Sequence, residues 1–162
     1  MGGLPQRYKL IPLCALLLSA LFSNSTLAAT ITITDLEDVD FGDLPPTSQR
    51  IAQRIRACVN STPAGPYRLL AQGFTSDGSF HLLNGANETL EYRVRASNRR
   101  NRLGRQLESG VAQGGFFSRR SSPRGRCRPP FLWITVLVRP EVLQQSPGGD
   151  YRGTLQITVA PE

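Results

Sequence analysis

The sequence predicts an all-β sandwich. Three observations lead there: short runs of period-two alternation, turn residues separating them at close intervals, and no stretch with convincing helical spacing. Among the 162 residues no internal repeat or second domain is visible.

The chain divides once, at residue 29. Arg7 and Lys9 precede an apolar run over residues 10–22, and Ser23-Asn-Ser-Thr-Leu-Ala-Ala29 offers small residues at a cleavable position. This is the pattern of a secretory signal peptide, with cleavage after Ala28 or Ala29. A membrane anchor fits less well, because the run is shorter than the ~20 residues a span needs. No transmembrane segment is expected once the signal has gone, and Cys14 leaves with it. Residues 30–162 are long enough for one domain with a real core.

Within that domain Thr30-Ile-Thr-Ile-Thr34 alternates as a strand, with Ile31 and Ile33 on one face. Asp40-Phe-Gly-Asp43 and Pro45-Pro46 then turn the chain. Residues 48–59 fit two readings: Ile51 and Ile55 stand four apart as on a helix, yet Ile51, Ile55, Ala57 and Val59 also share one face of a strand. After Pro63-Ala-Gly-Pro66, residues 67–74 read as a strand and Thr75-Ser-Asp-Gly78 as a loop. Residues 80–83 are short and apolar, Asn84-Gly85 is a turn signal, and Leu90, Tyr92 and Val94 alternate against Glu91, Arg93 and Arg95. Residues 98–105 and 114–128 are polar and rich in glycine and arginine, read as surface loops on either side of a weak strand near 106–111. Residues 131–138 are nearly all apolar, as in a strand buried on both faces. Pro147-Gly-Gly-Asp150 turns the chain into its clearest strand, where Tyr151, Gly153, Leu155, Ile157 and Val159 oppose Arg152, Thr154, Gln156 and Thr158. Nothing follows Glu162 that could pair with the free side of this strand, so its second neighbour has to come from earlier in the chain or from another molecule.

Charge and cysteine use bound the chemistry. The formal charge is +7, and Lys9 is the only lysine, so every basic residue of the domain is arginine. Asp35, Glu37, Asp38, Asp40 and Asp43 make its beginning acidic, whereas residues 93–128 are strongly basic. Arg99, Arg100, Arg102, Arg119 and Arg120 are the candidates for contact with a polyanion. A solvated loop in an arginine-biased composition explains the run more cheaply, and nucleic acid is a poor expectation for an exported chain without a binding motif. Cys58 and Cys127 remain after signal cleavage. In an oxidising compartment the simplest arrangement is one disulfide between them, a long loop whose closure is worth about 4 kcal/mol in the chain-entropy model. Two cysteines and the single His81 show no metal-ligand spacing, and no cofactor is expected.

Taken in order, Asp38-Val-Asp-Phe-Gly42, Ala57-Cys58, residues 67–73, Phe80-His-Leu82, Leu90-Glu-Tyr-Arg-Val94, Cys127 and the ending from Gly149 to Glu162 resemble the secreted, pilin-like subunits of archaic chaperone–usher systems, the spore coat U domain family. The resemblance runs through most of residues 30–162 and favours a strand for residues 48–59. It implies an immunoglobulin-like antiparallel sandwich that is incomplete, lacking its last strand. In such subunits a periplasmic chaperone lends a strand to the open groove, and at the outer-membrane usher a neighbouring pilus subunit replaces it. Leu155, Ile157 and Val159 would then line the groove, although ordinary core packing would give the same alternation. Cys58 and Cys127 match the family's structural disulfide, and Tyr151 reads as an aromatic packed at a corner.

Two features depart from that pattern. Little sequence precedes Thr30–Thr34, which must serve either as a donor segment or as the domain's own first strand; in the second case the subunit suits a tip or terminal position. The arginine-rich loops are not required by the family.

The search for catalytic groups returns little. His81 lies in an apolar stretch and reads as a half-buried structural residue. No Gly-x-Ser-x-Gly elbow or phosphate-cradling glycine loop is present. Glu88 and Glu91 are too close in sequence, and on the wrong faces of a strand, to act as a glycosidase pair. The expectation is a non-enzymatic secreted pilus or fimbria subunit with a role in adhesion or biofilm formation, moving through the periplasm to the cell surface. The second reading is a free-standing secreted β-sandwich module that holds an anionic glycan or polymer in its arginine loops.

Overall fold

A computed structural model describes residues 29–42, 44, 49–73, 75, 77–120 and 127–162, with only the backbone described at Arg120. Cys14 and, apart from Ala29, the expected signal segment lie outside the described residues. In chain order the strands are β1 (Thr30–Thr34), β2 (Ile51–Thr62), β3 (Pro66–Gly73), β4 (His81–Leu83), β5 (Thr89–Glu91), β6 (Arg93–Ser97), β7 (Arg105–Gln106), β8 (Gln113–Phe117), β9 (Arg119–Arg120), β10 (Leu132–Val138) and β11 (Leu155–Pro161). A short helix, α1 (Pro140–Gln145), joins the last two.

The ambiguous stretch is β2, and it organises one layer. Its first half, Ile51 to Ala57, pairs antiparallel with β10, while Cys58 to Thr62 pairs with β1 on the other side. Along its second half a parallel contact with β9 continues the β10 side. The order is β1-β2-β10-β6-β7, and β11-β3-β8 forms the opposite layer, with β4-β5 as a separate hairpin. All strand pairings except β2–β9 are antiparallel. This is the antiparallel sandwich that the sequence predicts, of the immunoglobulin-like kind.

Alternation decides the core. β10 is central, between β2 and β6, and points Leu132, Ile134, Val136 and Val138 inward. Val94 and Ala96 flank them from β6 and Ile55 and Ala57 from β2, while Tyr67, Leu69 and Ala71 of β3 close the layer from the other side. Cys58 and Cys127 form the expected disulfide, 69 residues apart in sequence with Cα atoms 5.7 Å apart, beside the point where β2 changes partners.

Four expectations need correction. Residues 114–128 are not wholly loop: most of β8 and all of β9 fall there, and β8 pairs with β3 and buries Phe116. The weak strand near 106–111 reduces to β7, followed by a single bridge from Ser109 to Ala71. A helix does form, α1, which starts on Pro140 and buries Leu143. The final strand begins at Leu155 rather than Tyr151, because Arg152 bridges Leu83 with two 2.8 Å backbone hydrogen bonds. Gly153 makes that crossing possible: a Cβ there would stand 2.8 Å from Leu82 Cδ2. Tyr151 packs at the corner as expected, buried, its hydroxyl donating to the Pro147 carbonyl at 2.9 Å.

Candidate strand-acceptor edge

Among the described residues β11 has a partner on one side only. It pairs with β3 from Leu155↔Gly73 to Pro161↔Tyr67, and no described strand lies along its other edge. The register shows which residues face that edge. Beyond the strand end, the Glu162 amide donates to the Pro66 carbonyl, so residues 156, 158 and 160 occupy the hydrogen-bonded positions toward β3. Leu155, Ile157 and Val159 occupy the alternate positions, and their N–H and C=O groups point to the open side. The groups opposite agree. Gly73 sends its amide to the Gly78 carbonyl, and Ala71 accepts from the Gly110 amide, both away from β11.

The same three residues carry the apolar face. Leu155, Ile157 and Val159 are half-buried and pack against the core, whereas Gln156, Thr158 and Ala160 are exposed. Across from them Ile31 and Ile33 of β1 are also half-buried against the core. β1 and β11 approach within 8 Å at their Cα atoms without pairing. Between the two layers there is thus a seam where apolar side chains are half covered and one row of backbone groups lacks a strand. Pro161 ends the row, since it has no N–H to offer. Thr30–Thr34 is here the domain's own edge strand, held to β2 by a ladder from Thr30↔Thr62 to Thr34↔Cys58.

The other singled-out residues scatter. Arg99, Arg100 and Arg102 lie exposed in the turn after β6. β9 sets Arg119 opposite Asn60 and Arg120 opposite Ser61. Arg100 leans onto a neighbouring aromatic, 5.7 Å above Trp133. His81 is half-buried and meets the Ser79 hydroxyl through Nδ1. That hydroxyl and Thr75 Oγ1 also donate to Asp77, holding its carboxyl well below the usual carboxylate range. Glu88 accepts from Asn84 Nδ2 at 2.7 Å, while Glu91 pairs with Arg139 at 3.2 Å, so the two glutamates serve separate local contacts. Burial pushes the phenols of Tyr67 and Tyr92 up to about 12. Among the described residues no helix is long and apolar enough to cross a membrane.

The fold occurs in a fimbrial chaperone–tip adhesin complex. That complex, described as vital for synergistic activation of CFA/I fimbriae biogenesis, matches with TM-score 0.54 and 22% identity over 82% of this chain and 41% of the other. A second neighbour is the CsuC–CsuE chaperone–tip adhesion subunit pre-assembly complex from the archaic chaperone–usher Csu pili of Acinetobacter baumannii. It matches at TM-score 0.38 and 15% identity over 82% of this chain and 39% of that one. The chain thus spans about two fifths of the length of these solved chains. No protein-family model matches it, and no curated protein matches it.

Proposed function

We propose that this chain is an exported structural subunit of a surface pilus or fimbria, assembled by donor-strand complementation through a chaperone–usher pathway. The observation that carries the reading is the open edge of β11, where Leu155, Ile157 and Val159 present unpaired backbone groups and half-covered side chains together. An added strand satisfies both at once. It supplies partners to the open N–H and C=O groups, each bond worth about 1 kcal/mol net, and apolar residues at every second position to cover the seam. A periplasmic chaperone would provide the first such strand, and a neighbouring pilus subunit, joined at the outer-membrane usher, the second. The disulfide fits an oxidising compartment on that route. The fold shared with a fimbrial chaperone–tip adhesin complex supports the same placement, and the ordered motifs from Asp38 to Glu162 support the spore coat U family in particular. The role is binding rather than catalysis, with adhesion or biofilm formation as its outcome.

The geometry adds a requirement. A strand lying between two sheet edges needs two strand spacings, about 10 Å, and β1 stands closer to β11 than that. Insertion therefore moves β1 outward, and β1, tied by one five-residue ladder, is the element able to yield.

Co-expression in the periplasm with the chaperone encoded beside the gene tests the reading. A stable one-to-one complex is expected, lost when Ile157→Asp puts a charge on the open edge and retained when Thr158→Asp puts one on the exposed face. Absence of a complex, or equal loss in both variants, would sink the proposal.

A further inference from the structure

The outer face of the sheet formed by β2, β10 and β6 is separate from the seam and has a different chemistry. Cross-strand register sets its side chains in rows: Arg56 beside Trp133 and Ser97, Arg54 beside Thr135 and Arg95, Ala52 beside Leu137 and Arg93. The turn after β6 folds back over the first two rows. Arg54 donates through Nε to Thr135 Oγ1 at 3.1 Å and through Nη1 to the Arg100 carbonyl at 2.5 Å. Arg95 donates to the Gly104 carbonyl at 2.9 and 3.2 Å. The Arg100 guanidinium stands 5.7 Å from the Trp133 ring centre and that of Arg56 4.9 Å from Phe131.

These arginines are oriented, yet among the described residues none of them has an acidic partner. Their partners are carbonyls, a hydroxyl and aromatic faces. The ion pairs among the described residues, Arg68–Glu162, Arg139–Glu91 and Arg152–Asp150, all lie elsewhere. A solvated surface arginine has no need of such anchoring, since fixing its long side chain costs conformational entropy. An open cleft of about 440 Å³ runs along this face, lined by Arg50, Arg54, Arg100, Leu103, Trp133 and Leu137 among others. Its volume lies in the range of small-ligand sites.

We propose that this face is a binding site for an acidic polysaccharide, bearing carboxylate or sulfate groups. Guanidinium groups pair strongly with such anions, here through the N–H groups that Arg54 and Arg95 do not spend on Thr135, Arg100 and Gly104, and the apolar flank of Leu103 and Leu137 suits the C–H face of a sugar ring. A single-stranded nucleic acid would want free aromatic faces for its bases, but Trp133 and Phe131 each have a guanidinium over the ring. The disulfide also sets the folded chain in an oxidising compartment, where extracellular polysaccharide rather than cytosolic nucleic acid is met. The site holds whether or not the chain is assembled into a pilus.

The test is calorimetric titration of the folded, oxidised chain with heparin and with polygalacturonate, alongside a thymidine oligonucleotide and anionic phosphatidylglycerol vesicles. At least one saccharide should bind at low salt and weaken as salt rises, and bind more tightly than oligonucleotide or vesicles. The double variant Arg54→Gln/Arg95→Gln should weaken it at least about tenfold. Leu103→Glu, on a side chain 47% exposed and outside the core cluster, should weaken it similarly while leaving the fold intact. Arg152→Gln, equal in charge to one of those changes, should alter it less than about twofold. Failure of both saccharides to bind, equal weakening by Arg152→Gln, unaltered binding by Leu103→Glu, or tighter binding of oligonucleotide or vesicles would each overturn the proposal.

Discussion

β10 and β11 are both seven-residue strands with strong apolar character, and they end in opposite environments. β10 has neighbours on both edges and buries Ile134 and Val138 completely. Among the described residues β11 has one neighbour, and its inward residues Leu155, Ile157 and Val159 stay half-exposed. The side chains are nearly equivalent, so the difference comes from strand pairing. Burial in a sandwich depends on the second edge as much as on the alternation of the residues themselves. A strand that is apolar enough for a core but paired on one side is a template for another chain.

The largest expected effect tests the closed strand. Ile134→Ala, in the centre of β10, should cost about 3–4 kcal/mol in denaturant unfolding of the folded subunit; a cost near zero would mean the central layer is not packed as described.

Alkaline titration probes whether water reaches the core through the seam. Tyr67 and Tyr92 are pushed up to about 12 by burial, above the ordinary value near 10. The folded state then keeps its phenol protons while the unfolded state releases them. Stability should be unchanged by these groups below pH 10 and should fall as pH rises from 10 towards 12. Phenolate absorbance for both tyrosines appearing near pH 10 without unfolding would show that the core is open to solvent.

Ile157→Ala should cost only about 1 kcal/mol in the uncomplemented chain, because the side chain is half-buried, and a larger amount once a donor strand is bound. Equal costs in the two states would remove the distinction between β10 and β11. Smallest is Tyr151→Phe, which deletes the bond to the Pro147 carbonyl at the entry to β11 and should cost about 1 kcal/mol or less.

Much of the sandwich was legible in the sequence because alternation reports directly on a half-buried strand: Ile31 and Ile33, Leu90 and Val94, and Leu155 to Val159 all keep the faces their spacing gives. The misses have identifiable physical causes. In β8, Gly114 and Gly115 have no side chains to show a period, and adjacent Phe116 and Phe117 point one inward and one outward with the same composition. Six residues of α1 are too few to display a helical repeat. β2 stayed ambiguous because Gln53, facing the inner side near the strand's end, interrupts the apolar face. For the open edge of β11, alternation marks Leu155, Ile157 and Val159 as one face, but it holds no information on which backbone groups lack partners. That followed from the β11–β3 register. The arginine face was invisible for a related reason: Arg54, Arg95 and Trp133 come from three strands distant in sequence, whereas the runs at residues 99–102 and 119–120 stand out by local density alone.

The seam between β1 and β11 is proposed as an acceptor for a strand supplied in trans. Thermal unfolding of the oxidised chain from Thr30 to Glu162 tests it most directly, alone and with a synthetic peptide from the amino-terminal segment of a candidate partner subunit. The account predicts a low or weak transition for the chain alone and a strong rise in Tm with peptide, growing with peptide concentration. A sharp, high transition that the peptide leaves unchanged would contradict it and show a sandwich complete in itself.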